Sequence, residues 1–300
     1  MLLRLRAGAS PAILVGYAAG SLELSVARIK SLIITMLLVI NVLFLAVIVM
    51  DTVANARRER QAISDACKVL SGGGISIDPE TVITAGAIKT MKAARDLKSE
   101  ATIARAVLGE SVIKDQGAIY SYESEGKGIA EFSSGGIFEI RLNDCVVTKN
   151  GSAEKTVQKL LRSMRIEASE LMPSGVPGSE TLIAVCAYKG VSIFNCTIEF
   201  RFAGDDLKSI TGKHITGFEA VDDASEISTA GTALLRFLAS VISGNPECSG
   251  ITHVEAGYRH YVVGPLGDGL IAPVWQIVAD TGVFIVDGAS GEILSRQLIE

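Results

Sequence analysis

The chain has 300 residues, with 28 Lys and Arg against 33 Asp and Glu, a formal net charge of −5 and a pI near 5.4. That balance leaves no basic stripe to neutralise phosphates, so nucleic acid is excluded as an expected partner. The five cysteines, Cys67, Cys145, Cys186, Cys196 and Cys248, are scattered, odd in number and without CxxC spacing, which argues against both a zinc site and a disulfide scaffold. They read as small buried apolar residues, and neither a metal nor a cofactor is expected.

Residues 1–24 hold Pro11, Gly16, Gly20 and an apolar patch, Ala12 to Val15, too short to cross a bilayer; they read as a poorly ordered cytoplasmic tail. Residues 25–52 form the expected anchor. Its centre, Ser31 to Met50, is SLIITMLLVINVLFLAVIVM, a run without a charge. Twenty helical residues rise about 30 Å, the thickness of a hydrocarbon core, so this run suffices to span a membrane. Arg4, Arg6, Arg28 and Lys30 precede it and Asp51 follows it, so the positive-inside rule puts the N-terminus in the cytoplasm and residues 51–300 outside, although Arg57, Arg58 and Arg60 lie beyond the far end. Ala54-Asn55-Ala56 fits a signal-peptidase pattern. The apolar run is longer than the roughly 7–15 residues of a cleaved signal, however, and an uncleaved signal anchor is expected.

Asn41 falls at the bilayer centre, where an unpaired amide is costly. It can bond its own helix backbone or reach another membrane helix; without a GxxxG seam, self-dimerisation through that motif is unsupported. Arg57, Arg58 and Arg60 could meet lipid headgroups or a partner's acidic loop. Interspersed with Glu59 and Asp65, they read equally as the solvated face of a helix.

From Arg57 to Leu70, Ile63, Cys67 and Leu70 recur at helical spacing, and Ser71-Gly72-Gly73-Gly74 ends the helix; a strand-like Ile75-Ser76-Ile77 follows, which rules out a phosphate-binding loop. Glu100 to Leu108 is a second helix. Ala118–Tyr122, Gly128–Phe132 and Ile137–Leu142 alternate as three strands of an antiparallel meander. Ser152 caps a helix with Val157, Leu160, Leu161 and Met164 on one face, and Met172 to Gly178 reads as a loop. Thr181–Tyr188 and Val191–Phe202 pair through Lys189-Gly190, and Asp205-Asp206 turns into Leu207–Ile215. Ser225 or Asp223 caps a further helix carrying Ile227, Leu234, Leu238, Val241 and Ile242, closed by Gly244-Asn245-Pro246. Thr252–Glu255, Tyr258–Val263, Ala272–Ala279, Val283–Val286 and a segment near Ile293 are strands. The expected fold is therefore α+β: one N-terminal transmembrane helix followed by antiparallel sheets packed with helices, in two extracytoplasmic subdomains, 53–149 and 150–300, divided near Asn150 and Gly151.

No catalytic set emerges from these patterns, and the protein is not expected to be an enzyme. His253 and His260 fall on separate strand segments and, like His214, read as surface or hydrogen-bonded residues. Asp205-Asp206 and Asp222-Asp223 sit where aspartate makes turns and caps, without the spacing of a calcium loop. Asn195-Cys196-Thr197 lies within a strand and is discounted as a glycosylation sequon. Asp280-Thr281-Gly282 matches an aspartic-protease triplet, but a single copy lacks the second carboxylate that chemistry needs.

Three regions resemble the YycH/YycI family of membrane-anchored regulatory proteins, closer to the YycI type. They are ARIKSLIITMLLVINVLFL, with Asn41 followed by Leu43-Phe44-Leu45; Tyr188-Lys189-Gly190-Val191-Ser192-Ile193-Phe194-Asn195 leading to Leu207–Gly212; and the ending with Pro273, Trp275, Gly282 and Ser290-Gly291-Glu292, which is also similar to PepSY-type repeats. The resemblance implies a non-enzymatic, extracytoplasmic regulator of a sensor histidine kinase in the two-component system governing cell-wall metabolism. Asn41 and Phe44 would then lie in a helix contact, with a YycH-like homologous protein and membrane lipid as further partners. Two other readings remain: a binding module for a wall component or peptidase, with a groove lined by Tyr258, Tyr261 and Trp275, or a hydrolase, which would require a histidine beside a buried carboxylate.

Overall fold

The computed structural model describes residues 12–147, 152–176, 180–221, 226–243, 248–263 and 269–297. The chain divides into two units, residues 1–60 and 61–300. Helix α1 (Ala12–Gly72) supplies the whole described part of the first unit, and its turns from Gln61 onward belong to the second. It starts inside the segment expected to be a tail: an isolated glycine costs a helix only about 1 kcal/mol, too little for Gly16 or Gly20 to stop one. Every large apolar side chain from Leu32 to Met50 is exposed, and the helix is long and apolar enough to cross a membrane.

In the second unit α1 contributes the face expected from its spacing, with Ile63, Ala66, Cys67 and Leu70 buried. It ends at the glycine run, where Gly73 donates to the carbonyls of Val69 and Leu70 and Gly74 takes a φ of 86°. Three further described helices follow. Helix α2 (Leu97–Leu108) starts earlier than Glu100 because the Asp96 carboxylate accepts from the Lys98 amide at 2.9 Å. Helix α3 (Ala153–Met164) is capped by Ser152, as its sequence predicts. Helix α4 (Ala230–Ile242) is capped by Thr229, so Ile227 lies before the helix; the expected caps Asp223 and Ser225, and the closing Gly244-Asn245-Pro246, fall outside the described residues.

The sixteen described strands form two ladders. The first runs through β3 (Met91–Ala94), β12 (Thr216–Ala220), β13 (Gly250–Val262), β14 (Gly269–Ala279), β15 (Gly282–Asp287) and β16 (Ile293–Gln297), and β1 (Ser76–Ile77) and β2 (Val82–Ile83) add to β13 in parallel. Pro273, with no N–H for a ladder, falls where β14 changes neighbour, between the β3 pairing that ends at Ile271 and the β15 pairing that begins at Val274. The second ladder is antiparallel, in the order β8 (Ala168–Pro173), β9 (Thr181–Tyr188), β10 (Val191–Ala203), β11 (Asp206–Lys213), β7 (Ile137–Val147), β6 (Gly128–Phe132), β5 (Tyr120–Ser124) and β4 (Val112–Asp115). The meander of three strands is present. Met172 and Pro173, expected in a loop, extend β8, and the strand expected over Leu207–Ile215 stops at Lys213, because His214 and Ile215 carry the chain from one ladder to the other.

The fold is thus α+β, with a long apolar N-terminal helix and a large mixed sheet. Asn150 and Gly151 lie outside the described residues, and strands from before and after them interleave in both ladders: β7 pairs with β11, and β3 with β12 and β14.

The two ladders meet where β10 touches β13 in a single parallel pairing, Ile193 with Tyr258. Asn195 completes the seam. Its amide nitrogen donates to the His260 carbonyl and its amide oxygen accepts from the His260 N–H, both at 2.8 Å, so one side chain does the work of a backbone pair. The same amide nitrogen would have to carry a glycan, which fits the discounting of the sequon. Replacing Asn195 with Ala leaves two backbone groups of His260 without partners. The expected loss is about 1–3 kcal/mol of stability, read as a lowered denaturation midpoint of the full chain in detergent.

Candidate functional site

Two places carry chemistry beyond ordinary packing, and the first is the apolar stretch of α1, long enough to cross a membrane. Asn41 donates through Nδ2 to the Leu37 carbonyl at 2.9 Å, the local reading of this residue. Thr35 and Thr52 make the same bond to the carbonyl four residues back, to Ser31 and Ile48. An amide has two N–H groups and an oxygen, so this bond leaves Asn41 with one donor and its acceptor to offer. Leu37, Asn41, Phe44 and Ile48 recur at four, three and four residues, and so form one stripe along the helix, with Phe44 64% exposed. Arg57, Arg58 and Arg60 are exposed; Arg57 and Arg60, three residues apart, share a face of the helix, and Arg58, turned away from it, bonds Asn55 at 3.2 Å.

The second place is a small cavity of about 30 Å³ at the seam between the ladders. Ala93 and Ala94 of β3, Phe132 of β6 and Phe138 of β7 wall it, together with Arg95, Glu100, His214 and His260. The sequence reading placed these histidines at the surface or in hydrogen bonds, and the structure corrects that. His260 is 3% exposed with neither ring nitrogen bonded, and His214 Nδ1 is buried without a partner. The two histidines of β13 also lie on one continuous strand, not on separate segments; seven residues apart, His253 and His260 face opposite sides of it. His253 stays partly exposed, 3.5 Å from Glu255, whose other oxygen accepts from Ser192.

Burial pushes the His214 pKa down to about 4, and burial, followed by the charge of Lys213, pushes His260 to about 4 as well. Both are therefore neutral at physiological pH. Glu100 is also buried, but both its oxygens are taken by Arg95, at 2.7 and 3.1 Å, and the same guanidinium donates to the carbonyls of Ala118 and Phe132. Hydrogen bonding from Glu100 holds Arg95 firmly in its charged form. The histidines thus do share a cavity with a buried carboxylate, the arrangement set as the condition for a hydrolase. That carboxylate is committed to Arg95, and the space holds one or two waters, not a substrate.

The other sequence candidates serve structure. Asp280 of the Asp-Thr-Gly turn accepts from the Ser249 amide and hydroxyl, which lowers its pKa. Asp287 accepts from Ala289 and Ser290, folding the Ser-Gly-Glu segment into a turn. Trp275 and Tyr258 are 1% and 4% exposed, and the Trp275 indole donates to the Ser228 carbonyl. Of the expected aromatic groove, Trp275 and Tyr258 are therefore core, turned inward by the alternation along β13 and β14, while Tyr261 stays partly exposed. Burial raises the thiol pKa of Cys186, and that of Cys196 to about 12. Among the described residues no three His, Cys, Asp or Glu side chains converge as metal ligands. The Asp222-Asp223 pair lies outside the described residues, as does the side chain of Cys145.

Sequence reasoning missed the cavity and its Arg95–Glu100 pair. Spacing carries no trace of a guanidinium that reaches forward five residues and across to Phe132, or of histidines 46 residues apart (260 minus 214) meeting at one seam. The pair has a checkable signature. Glu100→Gln strands the buried Arg95 charge and is expected to cost roughly 3 kcal/mol in denaturant unfolding, whereas the double variant Arg95→Met/Glu100→Leu, which removes both charges, costs less than the single one.

No protein-family model matches the chain, and no curated protein matches it. Among solved structures it is similar to an uncharacterized protein from Eubacterium rectale ATCC 33656, at 10% identity over 70% of this chain and 87% of that one, with a TM-score of 0.46. It is also similar to the C-terminal domain of YpeB from Bacillus megaterium, at 10% identity over 69% of this chain and 99% of that one, with a TM-score of 0.38. At such identities function has to be argued from the chain's own residues.

Proposed function

We propose that the chain is a membrane-anchored regulator whose helix contacts a membrane sensor histidine kinase of a two-component system controlling cell-wall homeostasis, with residues 61–300 as its extracytoplasmic domain. The observation that carries this reading is the membrane helix. Every large apolar side chain from Leu32 to Met50 is exposed, and one polar residue, Asn41, sits mid-span with one N–H and its amide oxygen unused beside Phe44. In hydrocarbon an amide with spare donors and acceptors favours a second helix, where a contact is worth about 1 kcal/mol. The kinase and the cell-wall role come from the YycH/YycI resemblance of the quoted motifs. Arg28 and Lys30 before the span support the orientation. In the same reading a YycH-like protein is a second partner, and Arg57, Arg58 and Arg60 lie where lipid headgroups or a partner's acidic loop can meet them. The role is one of binding and not of catalysis, consistent with a water-sized cavity whose carboxylate is already paired. The alternative of a binding module for a wall component loses its aromatic groove, since Trp275 and Tyr258 are buried.

A photo-crosslinking residue at position 44 in the full chain, in native membranes, should join it to a sensor kinase, and Asn41→Leu should reduce that product several-fold and change the kinase's output. Unchanged crosslinking and output in the Asn41→Leu protein would overturn the helix contact.

A further inference from the structure

We propose that the His214–His260 cavity is a proton-sensitive joint, which holds the two ladders together while both imidazoles are neutral and loosens when they take up protons. The joint stands independently of the regulatory role argued above.

Its placement carries the argument. His260 lies on β13 of the first ladder, clamped through its backbone by Asn195 of β10, and Gly269 of β14 packs so closely on the His260 ring that a Cβ there would collide with Nε2. His214 lies on the two-residue link between β11 and β12, by which the chain passes from the second ladder to the first, and its amide donates to the Gly136 carbonyl at 2.8 Å. Gly136 has a φ of 79°, and a Cβ there would collide with the His214 carbonyl, so the link is packed tightly against the start of β7. Three ring nitrogens at this joint are buried and without partners.

The charges around the cavity do not welcome an imidazolium. From the β3–α2 side come Arg95, Asp96 and Glu100; Glu100 is neutralised by Arg95, and Asp96 caps α2. From β11 comes Lys213, whose charge opposes protonation of His260. The walls from β6 and β7 are Phe132 and Phe138. With Glu100 paired to Arg95, Asp96 engaged at the cap of α2 and Lys213 adding a like charge, a new imidazolium is poorly balanced here, so a proton binds more tightly once the seam has opened.

The sign follows from linkage. In an opened segment each histidine titrates near its ordinary value of 6.5, and in the closed joint near 4. The opened state therefore binds more protons between these values. Closure is fully favoured above pH 6.5 and is lost as pH falls through the window towards 4. Between pH 7 and pH 4.5 the opening equilibrium should rise about fifty-fold for each histidine.

The test is hydrogen exchange on the full chain in detergent, corrected for intrinsic rates, at pH 7 and pH 4.5. In the wild type, opening of residues 213–217 and 258–262 should rise by well over ten-fold, and in the variant H214Q/H260Q by no more than about two-fold. An equal rise in both proteins would overturn the proposal. Should the variant fail to fold, histidine proton NMR of the wild type decides, since the chain has only three histidines to assign. Imidazoles of His214 and His260 still neutral at pH 5 support the joint, and titration of both near pH 6.5 overturns it.

Discussion

The second unit depends on a seam that backbone pairing alone closes poorly. Strand β10 runs thirteen residues and serves the antiparallel ladder along most of its length, yet it meets β13 in one parallel pairing. Asn195 makes up the deficit by presenting an amide to both backbone groups of His260, with the donor–acceptor complementarity of a peptide group. The irregular pairing of β9 with β10 between Ser192 and Thr197 lets Asn195 leave one ladder and reach the other. Everything built across the seam, the β11–β12 link, the packing of α2 and the histidine cavity, assumes that this contact holds.

The cavity shows how a fold keeps polar groups where it has little use for charge. Arg95 and Glu100 satisfy each other, and Arg95 also holds the carbonyls of Ala118 and Phe132, so the pair ties the start of α2 to the meander. Beside it, two histidines are left neutral by burial, without the carboxylate that would usually raise their pKa. The long apolar helix presents a parallel case: Asn41 satisfies part of its amide locally and keeps the rest available.

Much of the local structure was legible in the residues. Ile63, Cys67 and Leu70 marked the buried face of a helix, and Ser71-Gly72-Gly73-Gly74 its end. Ser152 was read correctly as a cap, and Lys189-Gly190 as a tight turn; there the positive φ values, 51° and 78°, are supported by Glu167 accepting from both amides. The errors were equally local in origin. Thr252–Glu255 and Tyr258–Val263 are expected as two strands with a break at Ala256-Gly257. In the structure Gly257 lies within β13 because the Phe194 ring occupies the space a side chain would need. The short strands β3 and β4 carry too few residues for a period to show.

By itself the sequence determined the apolar helix, the α+β class, the Ser152 cap and the Lys189-Gly190 turn, because each of these follows from residues within a few positions of one another. The tertiary structure alone decided that β3 would join β12 with β14, that Trp275 and Tyr258 would face the core, and that His214 and His260 would share a cavity with Arg95 and Glu100. Those outcomes depend on which strands pair across more than a hundred residues of chain, and on the volume left when they do. Neither quantity is encoded in spacing, since the energy that selects them is the sum of contacts made only after the ladders close.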